Sequence, residues 1–387
     1  MLKIKLMNKI AKVGTDVLNS RYELGESVTD EDAIMVRSAA LHDLEFTDNL
    51  RAIARCGAGV NNIPVDKCTE KGVVVFNTPG ANANAVKELV IAALVLASRD
   101  VIGGVEWVNG LKGQTDIAKK VEAGKSAFVG HELAGKTLGV IGLGAIGGMV
   151  ANAAIALGMN VMGYDPYITA KAAWSLAPSV RQAADYNEIF RTCDYVSLHV
   201  PATPQTKNMI CAKSIEQMKD GVRILNLARA DLVNAADLKQ ALASGKIAKY
   251  VTDFPTEETV GVEGIVAIPH LGASTIESED HCAIMAAQQL DEFLTCGNIR
   301  NSVNFPTVGI PLSGHPRVCV MNKNIPNMIS QIAATFAAEN VNIENFANGS
   351  KGEIAYTVVE TNVKASQAIL AKLAAIEGVF GVRAYDD

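Results

Sequence analysis

Arg229, Glu258 and His270 each stand just past a short apolar run, at positions where side chains of three different types could act on one small molecule. An imidazole has its ordinary pKa nearest neutrality, so His270 suits a general acid–base. A carboxylate such as Glu258 would raise that pKa and fix the ring if the intervening loop folds back. The planar guanidinium of Arg229 suits a carboxylate and a neighbouring carbonyl oxygen. Together the three types fit general acid–base chemistry on a small molecule that carries a carboxylate.

A second pattern in the chain points to a cofactor. The segment Gly142-Leu143-Gly144-Ala145-Ile146-Gly147 follows the apolar run Thr137–Ile141 and opens a helical stretch, Ile146–Leu157. Strand, G-x-G-x-x-G and helix together make the dinucleotide fingerprint. Gly142 allows the tight turn, Gly144 lets a pyrophosphate approach the backbone, and Gly147 lets helix pack on strand. The helix N-terminus, at Ala145 and Ile146, offers free N–H groups to the anion. The next strand ends at Asp165, 23 positions after Gly142, close to the ~20 expected for the acid that binds the ribose hydroxyls. That carboxylate would repel a 2′-phosphate, which favours NAD over NADP.

Apolar runs such as Thr137–Ile141, Tyr195–His199 and Arg223–Leu227 lack alternation, which marks strands buried on both faces of a parallel sheet. Strand and helix patterns alternate along most of the chain, giving an α/β doubly wound expectation. Two long helical stretches, Ala83–Asn109 and Thr275–Cys296, read as crossovers between two Rossmann-like lobes. The expected domains are a discontinuous substrate lobe (1–83 and 277–305), a nucleotide lobe (84–276), a proline-rich linker (306–316) and a tail domain (317–387). The tail reads β-α-β-β-α-β, the ferredoxin-like order.

Composition narrows the function classes. The 387 residues carry 35 basic and 41 acidic side chains, net charge −6, without the basic excess of a nucleic-acid or membrane-surface binder. Seven widely spaced cysteines and no C-x-x-C argue against a disulfide framework or a cysteine metal site and for a reducing, cytoplasmic setting. No run reads as a membrane span or signal peptide.

Several stretches resemble the D-isomer-specific 2-hydroxyacid dehydrogenases over about the first 300 residues: Arg55–Asn62, Val75–Pro79, Glu132–Gly147, Ser197–Pro201, Asn226–Arg229 and Pro269–Thr275. The resemblance implies an Arg/Glu/His catalytic set at Arg229, Glu258 and His270. It also implies that Asp253 faces the nicotinamide carboxamide. Thr78, Ala145, Ile146, Val200, Leu227, Ala228, Gly272 and Ala273 would line NAD. Backbone N–H groups near Ala58 and Gly59 would hold the substrate carboxylate. Asn61 and Ala230 stand where the family often has Asp and Gly. The loop from Glu258 to His270 is shorter than in many members.

The tail resembles an ACT domain, a small amino-acid-binding module, through Asn322–Met328, Glu339–Ile343, Ala355–Thr357 and Gly378–Val379. Its fusion to such a dehydrogenase implies D-3-phosphoglycerate as substrate, in the first step of serine synthesis, with Arg37 and Arg55 as candidate phosphate cations. The candidate effector positions for L-serine are Asn322, Asn324 and Asn342, with Asn322 where serine-inhibited members have His. The resemblance further implies a homodimer or homotetramer. The alternatives are a hydroxypyruvate or glyoxylate reductase of the same family, or a non-catalytic NAD-sensing binding protein.

Overall fold

The computed structural model describes residues 1–385; the last two positions of the expected tail domain, 386 and 387, lie outside the described residues. The chain forms two compact units, one of residues 1–82 with 276–387 and one of residues 83–275. Each is described by itself.

The first unit contains a five-stranded parallel sheet of β1 (Leu2–Met7), β2 (Tyr22–Gly25), β3 (Ala33–Val36), β4 (Ala52–Arg55) and β5 (Val74–Phe76), in the order β2-β1-β3-β4-β5. The second unit holds a seven-stranded parallel sheet. Its strands are β6 (Thr137–Ile141), β7 (Asn160–Tyr164), β8 (Arg181–Gln182), β9 (Tyr195–Leu198), β10 (Val222–Asn226), β11 (Ile247–Thr252) and β12 (Ile265–Ala267), in the order β12-β11-β10-β9-β6-β7-β8. The order reverses between β6 and β9, the switch point where open α/β sheets bind ligands. The central strands are apolar on both faces, and β9 is buried at every position, as a sheet covered by helices on both sides requires.

Register carries the functional consequence. Ile141, Tyr164, Leu198, Asn226, Thr252 and Ala267 are paired across β7-β6-β9-β10-β11-β12. The residues that follow them leave the sheet at one edge. In the first unit Met7, Val36 and Arg55 share a row in the same way.

The tail sheet comprises β13 (Arg317–Lys323), β14 (Ile343–Lys351), β15 (Ile354–Thr361) and β16 (Val379–Tyr385), antiparallel in the order β14-β15-β13-β16. With helices Met328–Ala338 and Gln367–Ala374 it completes the β-α-β-β-α-β order. This sheet shares one hydrophobic core with the first unit: Ile4, Phe76 and Phe293 pack in the same cluster as Cys319, Met321 and Tyr356.

The expected linker is correspondingly fixed. Phe305 and Val308 are buried, and the buried Arg317 guanidinium donates to the carbonyls of Ile310, Pro311 and Cys296. It also donates through Nε to Glu360 at 2.7 Å. Burial works to raise the Glu360 carboxyl, yet hydrogen bonds from Ser313, Asn345 and Arg317 together hold it below the usual range. Ser302 and Asn304 bond the backbone of Val73 and Val75 alongside β5.

One expectation changes. The helix expected over Ala83–Asn109 is two, Ala83–Ser98 and Val101–Asn109. Asp100 caps the second by accepting from Gly103 N–H, while the Ser98 carbonyl turns to accept from His131 N–H. The edge strands β2 and β8, of 4 and 2 residues, carry too few residues for a periodic signal. Among the described residues no helix is long and apolar enough to cross a membrane, and all seven cysteines are free.

Removing one partner of a buried ion pair strands the other charge, at a cost of about 3–5 kcal/mol. Arg317→Met should therefore lower unfolding free energy by about that amount in denaturant titration and open residues 306–316 to limited proteolysis. Unchanged stability would show that the Arg317–Glu360 pair does not hold the tail.

Candidate active site

The row of strand ends in the second unit gathers most of the expected site. Gly142 has φ +92, and a Cβ there would lie 2.5 Å from the His199 carbonyl oxygen. A Cβ on Gly147 would meet the Gly142 carbonyl at 1.9 Å, whereas one on Gly144 would meet nothing within 4 Å. The first and third glycines are thus required by packing, and the second leaves its backbone open to a ligand. Gly144 is the N-cap of helix Ala145–Ala156 and no side chain caps it, so the first N–H groups stay available to an anion.

A cavity of about 880 Å³ opens over this turn, lined by Gly142, Gly144, Asp165, His199, Val200 and Thr206 among others. Its size is within the range of small-molecule and cofactor sites. Asp165 accepts from Leu143 N–H through one oxygen and Tyr167 N–H through the other, each at 2.9 Å. Those bonds hold the carboxylate while each oxygen keeps lone-pair capacity for a ribose hydroxyl. The donor set, the open Gly144 backbone and the acid fit NAD.

Beyond β10 the chain turns sharply. The buried Asn226 side chain accepts from the N–H groups of Ala228 and Arg229 and donates to the Arg229 carbonyl and to the Tyr250 hydroxyl. This brace presents Leu227, Ala228 and Arg229 at the edge. Phe254, just past β11, joins the expected residues: its ring centroid is 4.4 Å from that of His270 and 5.7 Å from Arg229 Cζ. The Phe254 ring thus lies beside both side chains.

Asp253 is buried, at 1% exposure. One of its oxygens accepts from Gly272 N–H at 3.3 Å, and the other has no hydrogen-bond partner. Burial raises its pKa, opposed by the nearby charge of His270, the Gly272 N–H and Arg229. A buried acceptor without a donor costs free energy, and the amide N–H of a nicotinamide would satisfy it. Ala273 follows Gly272 on the same turn.

Glu258 does not share this arrangement. Its carboxylate is mostly exposed and lies 4.0 Å from Lys239 Nζ, whereas burial raises the pKa of Asp253 and the nearby charge of His270 opposes that rise.

His199 and Asn226 escaped sequence reading. The His199 ring bonds Ser197 Oγ at 2.8 Å, and burial lowers its pKa to about 4. Both stand at the C-terminal end of a buried strand, Asn226 as the last residue of β10 and His199 just after β9.

The remaining expected residues lie in the first unit. Arg37 is paired with Glu279 at 2.5 Å. The Arg55 guanidinium folds over Gly57, and its buried Nε has no partner. Gly57 O accepts from Thr78 N–H, Ala58 O accepts from Asn77, Ala58 is exposed and Gly59 half-buried. Thr78 is fully buried with its hydroxyl unpartnered.

In the tail, Asn322 is buried and donates to Lys323 O, and Asn324 donates to Gly352 O. Asn322 pairs with Ala355, whereas Ile343, next to Asn342, pairs with Thr361. Six residues along one strand is about 20 Å, so a single chain does not bring Asn342 to Asn322 and Asn324.

Comparison with known proteins places the chain in a family. The family profile for the D-isomer specific 2-hydroxyacid dehydrogenase NAD binding domain matches residues 105–273. The chain is 36% identical over 314 residues to D-3-phosphoglycerate dehydrogenase of Methanocaldococcus jannaschii, covering 79% of this chain but only 58% of that protein. It is 32% identical over 377 residues to the Escherichia coli protein of the same name, covering 93% and 88%. It is also 36% identical over 297 residues to hydroxypyruvate reductase of Thermotoga maritima, covering 74% and 92%. Among solved structures, NAD+-bound 3-phosphoglycerate dehydrogenase of Entamoeba histolytica aligns with TM-score 0.61 and 27% identity, over 78% of this chain and 98% of that one.

The depressed pKa of His199 has a testable sign. The unfolded chain takes up this proton at about pH 6.5 and the folded one only near pH 4, so stability falls as pH drops through that window. Between pH 7 and 5 the wild type should lose on the order of 1–2 kcal/mol relative to His199→Gln. Parallel stability curves for the two proteins would refute the assignment.

Proposed function

The chain belongs to the D-isomer-specific 2-hydroxyacid dehydrogenases, and on that basis we propose that it oxidises D-3-phosphoglycerate to 3-phosphohydroxypyruvate with NAD, in the first step of phosphorylated serine synthesis. The observation that carries the chemistry is the row of strand ends beyond which Arg229 and His270 lie beside the ring of Phe254 and Asp253 lies near the charges of both. Support for the substrate comes from the E. coli relative, whose similarity runs through the tail. The T. maritima reductase supports a family relation but matches less of this chain.

NAD, when bound, supplies the electrophilic nicotinamide carbon that accepts hydride. In this reading Gly144, Ala145 and Ile146 hold its pyrophosphate by backbone N–H groups, Asp165 its ribose, and the open oxygen of Asp253 its carboxamide. Neutral His270 takes the C2 hydroxyl proton while the C2–H bond breaks and its electron pair leaves to the acceptor carbon. A C2=O double bond forms. Arg229 binds the carboxylate and the developing carbonyl oxygen, where its positive charge matters most. Asp253 stabilises the imidazolium that results. Glu258 would join His270 by turning from Lys239. Arg55, which has no carboxylate partner among the described residues, is assigned to the phosphate with Arg37, and the N–H groups of Ala58 and Gly59 to the substrate carboxylate.

We read the tail as an ACT module. Because Asn342 is remote from Asn322 and Asn324, a serine site using all three would need a second chain. The second unit exposes an apolar face, with Val101, Ile102, Val105 and Val108 on one helix, and we assign it to a homodimer or homotetramer contact. Seven free thiols fit a cytoplasmic enzyme.

The test is the initial rate of NADH formation from D-3-phosphoglycerate at alkaline pH, with hydrazine trapping the ketoacid. The proposal expects a clear rate, little with D-glycerate or D-lactate, and a loss of about 10²–10⁴-fold in His270→Gln. Turnover confined to an unphosphorylated hydroxyacid would make the reductase the better reading. Added L-serine then tests the tail.

A further inference from the structure

Arg37 and Arg55 lie at one edge of the first unit's parallel sheet, because Val36 and Arg55 are register partners. Their surroundings differ. Arg55 has a buried Nε without a partner and is flanked by the thiols of Cys56 and Cys282 and by Arg37. Arg37 instead donates to Glu279 Oε1 at 2.5 Å, with side chains 44% and 42% exposed. Glu279 stands in the first turn of helix Ile276–Cys296. One turn further on, burial raises the pKa of the Cys282 thiol, opposed by the Thr78 hydroxyl and by the nearby charges of Arg55 and Arg37, with Glu279 adding to the rise. Two guanidiniums and one carboxylate therefore share one face of this helix.

A first-turn acid suits the helix dipole, and Glu277 is a second one in the same turn. Dipole complementarity alone does not account for a carboxylate turned onto Arg37. The pair is half-exposed, so it is cheap to break. A doubly charged anion offers Arg37 more attraction than a carboxylate does.

We infer that Glu279 is a specificity-determining counter-charge, an intramolecular competitor that the substrate's phosphate displaces from Arg37. The inference rests on the reading of these arginines as phosphate ligands. It assigns Glu279 a role in substrate affinity and none in the chemical step. Displacement of a half-exposed carboxylate, together with the repulsion it exerts on a dianion, corresponds to about three- to tenfold in affinity.

The experiment compares wild type, Glu279→Gln, Arg37→Gln and the double variant at fixed ionic strength, with Glu277→Gln as the control for lost helix charge. Glu279→Gln should lower KM for D-3-phosphoglycerate about three- to tenfold, the change falling on KM rather than kcat. Competitive inhibition by inorganic phosphate should tighten equally. Glu277→Gln should leave KM near wild type, and the tightening should vanish in the Arg37→Gln background. An unchanged or raised KM in Glu279→Gln with a wild-type thermal midpoint overturns the inference, as does the same tightening without Arg37. If wild type fails to turn over phosphoglycerate, the substrate reading has failed. Calorimetric titration with inorganic phosphate then decides separately: tighter binding to Glu279→Gln supports the counter-charge, and equal binding refutes it.

Discussion

In a parallel sheet every strand leaves on the same edge, and the register of the seven-stranded sheet sets which residues meet there. Pairing Ile141, Tyr164, Leu198, Asn226, Thr252 and Ala267 in one row sends Gly142, Asp165, His199, Leu227, Asp253 and Ile268 out together. A slip of one residue in any strand would invert its side chains between the two buried faces. The continuous apolar character of these strands is thus the condition for the site, although none of them supplies a catalytic group from its interior.

The edge is stabilised by polar groups that serve the turns before they serve a ligand. Asn226 satisfies the backbone beyond β10 at both ends of the turn. Asp165 does the same after β7. Asp253 is left with an oxygen unsatisfied, and it shares its surroundings with His270 and Arg229. A fold that leaves one buried acceptor open holds a site ready for a donor, at a cost of about 1–3 kcal/mol in the empty protein. The tail sheet contributes differently. Its core is continuous with the first unit, and Lys351 donates to the carbonyls of Ser302 and Val303 beside β5. The tail is mechanically part of the unit that carries Arg37 and Arg55.

Much of this was legible in the sequence because it depends on local pattern. The glycine turn, the acid after β7, and Arg229 and His270 after apolar runs all follow from strand endings. What was not legible depends on tertiary placement. Phe254 reads as an ordinary aromatic until its ring is seen between Arg229 and His270. His199 and Asn226 draw attention only through their burial and partners. Glu258 has the right type and position, yet its side chain lies by Lys239. The break at Ser98–Asp100 coincides with three polar residues in an otherwise apolar stretch, and the Asp100 cap and the His131 contact show it to be a helix boundary. Likewise three asparagines chosen by local motif divide between the two ends of the tail sheet, Asn322 and Asn324 by the start of β15 and Asn342 by its end.

The central claim is that C2–H of a phosphorylated hydroxyacid is transferred as hydride at the edge where His270 and Asp253 meet. Its most direct test is a single-turnover reaction with D-3-phosphoglycerate deuterated at C2, followed by mass analysis of the nicotinamide product. The account predicts one deuterium per reduced nicotinamide and none in solvent. Reduced nicotinamide without deuterium, or label lost to water, would contradict it.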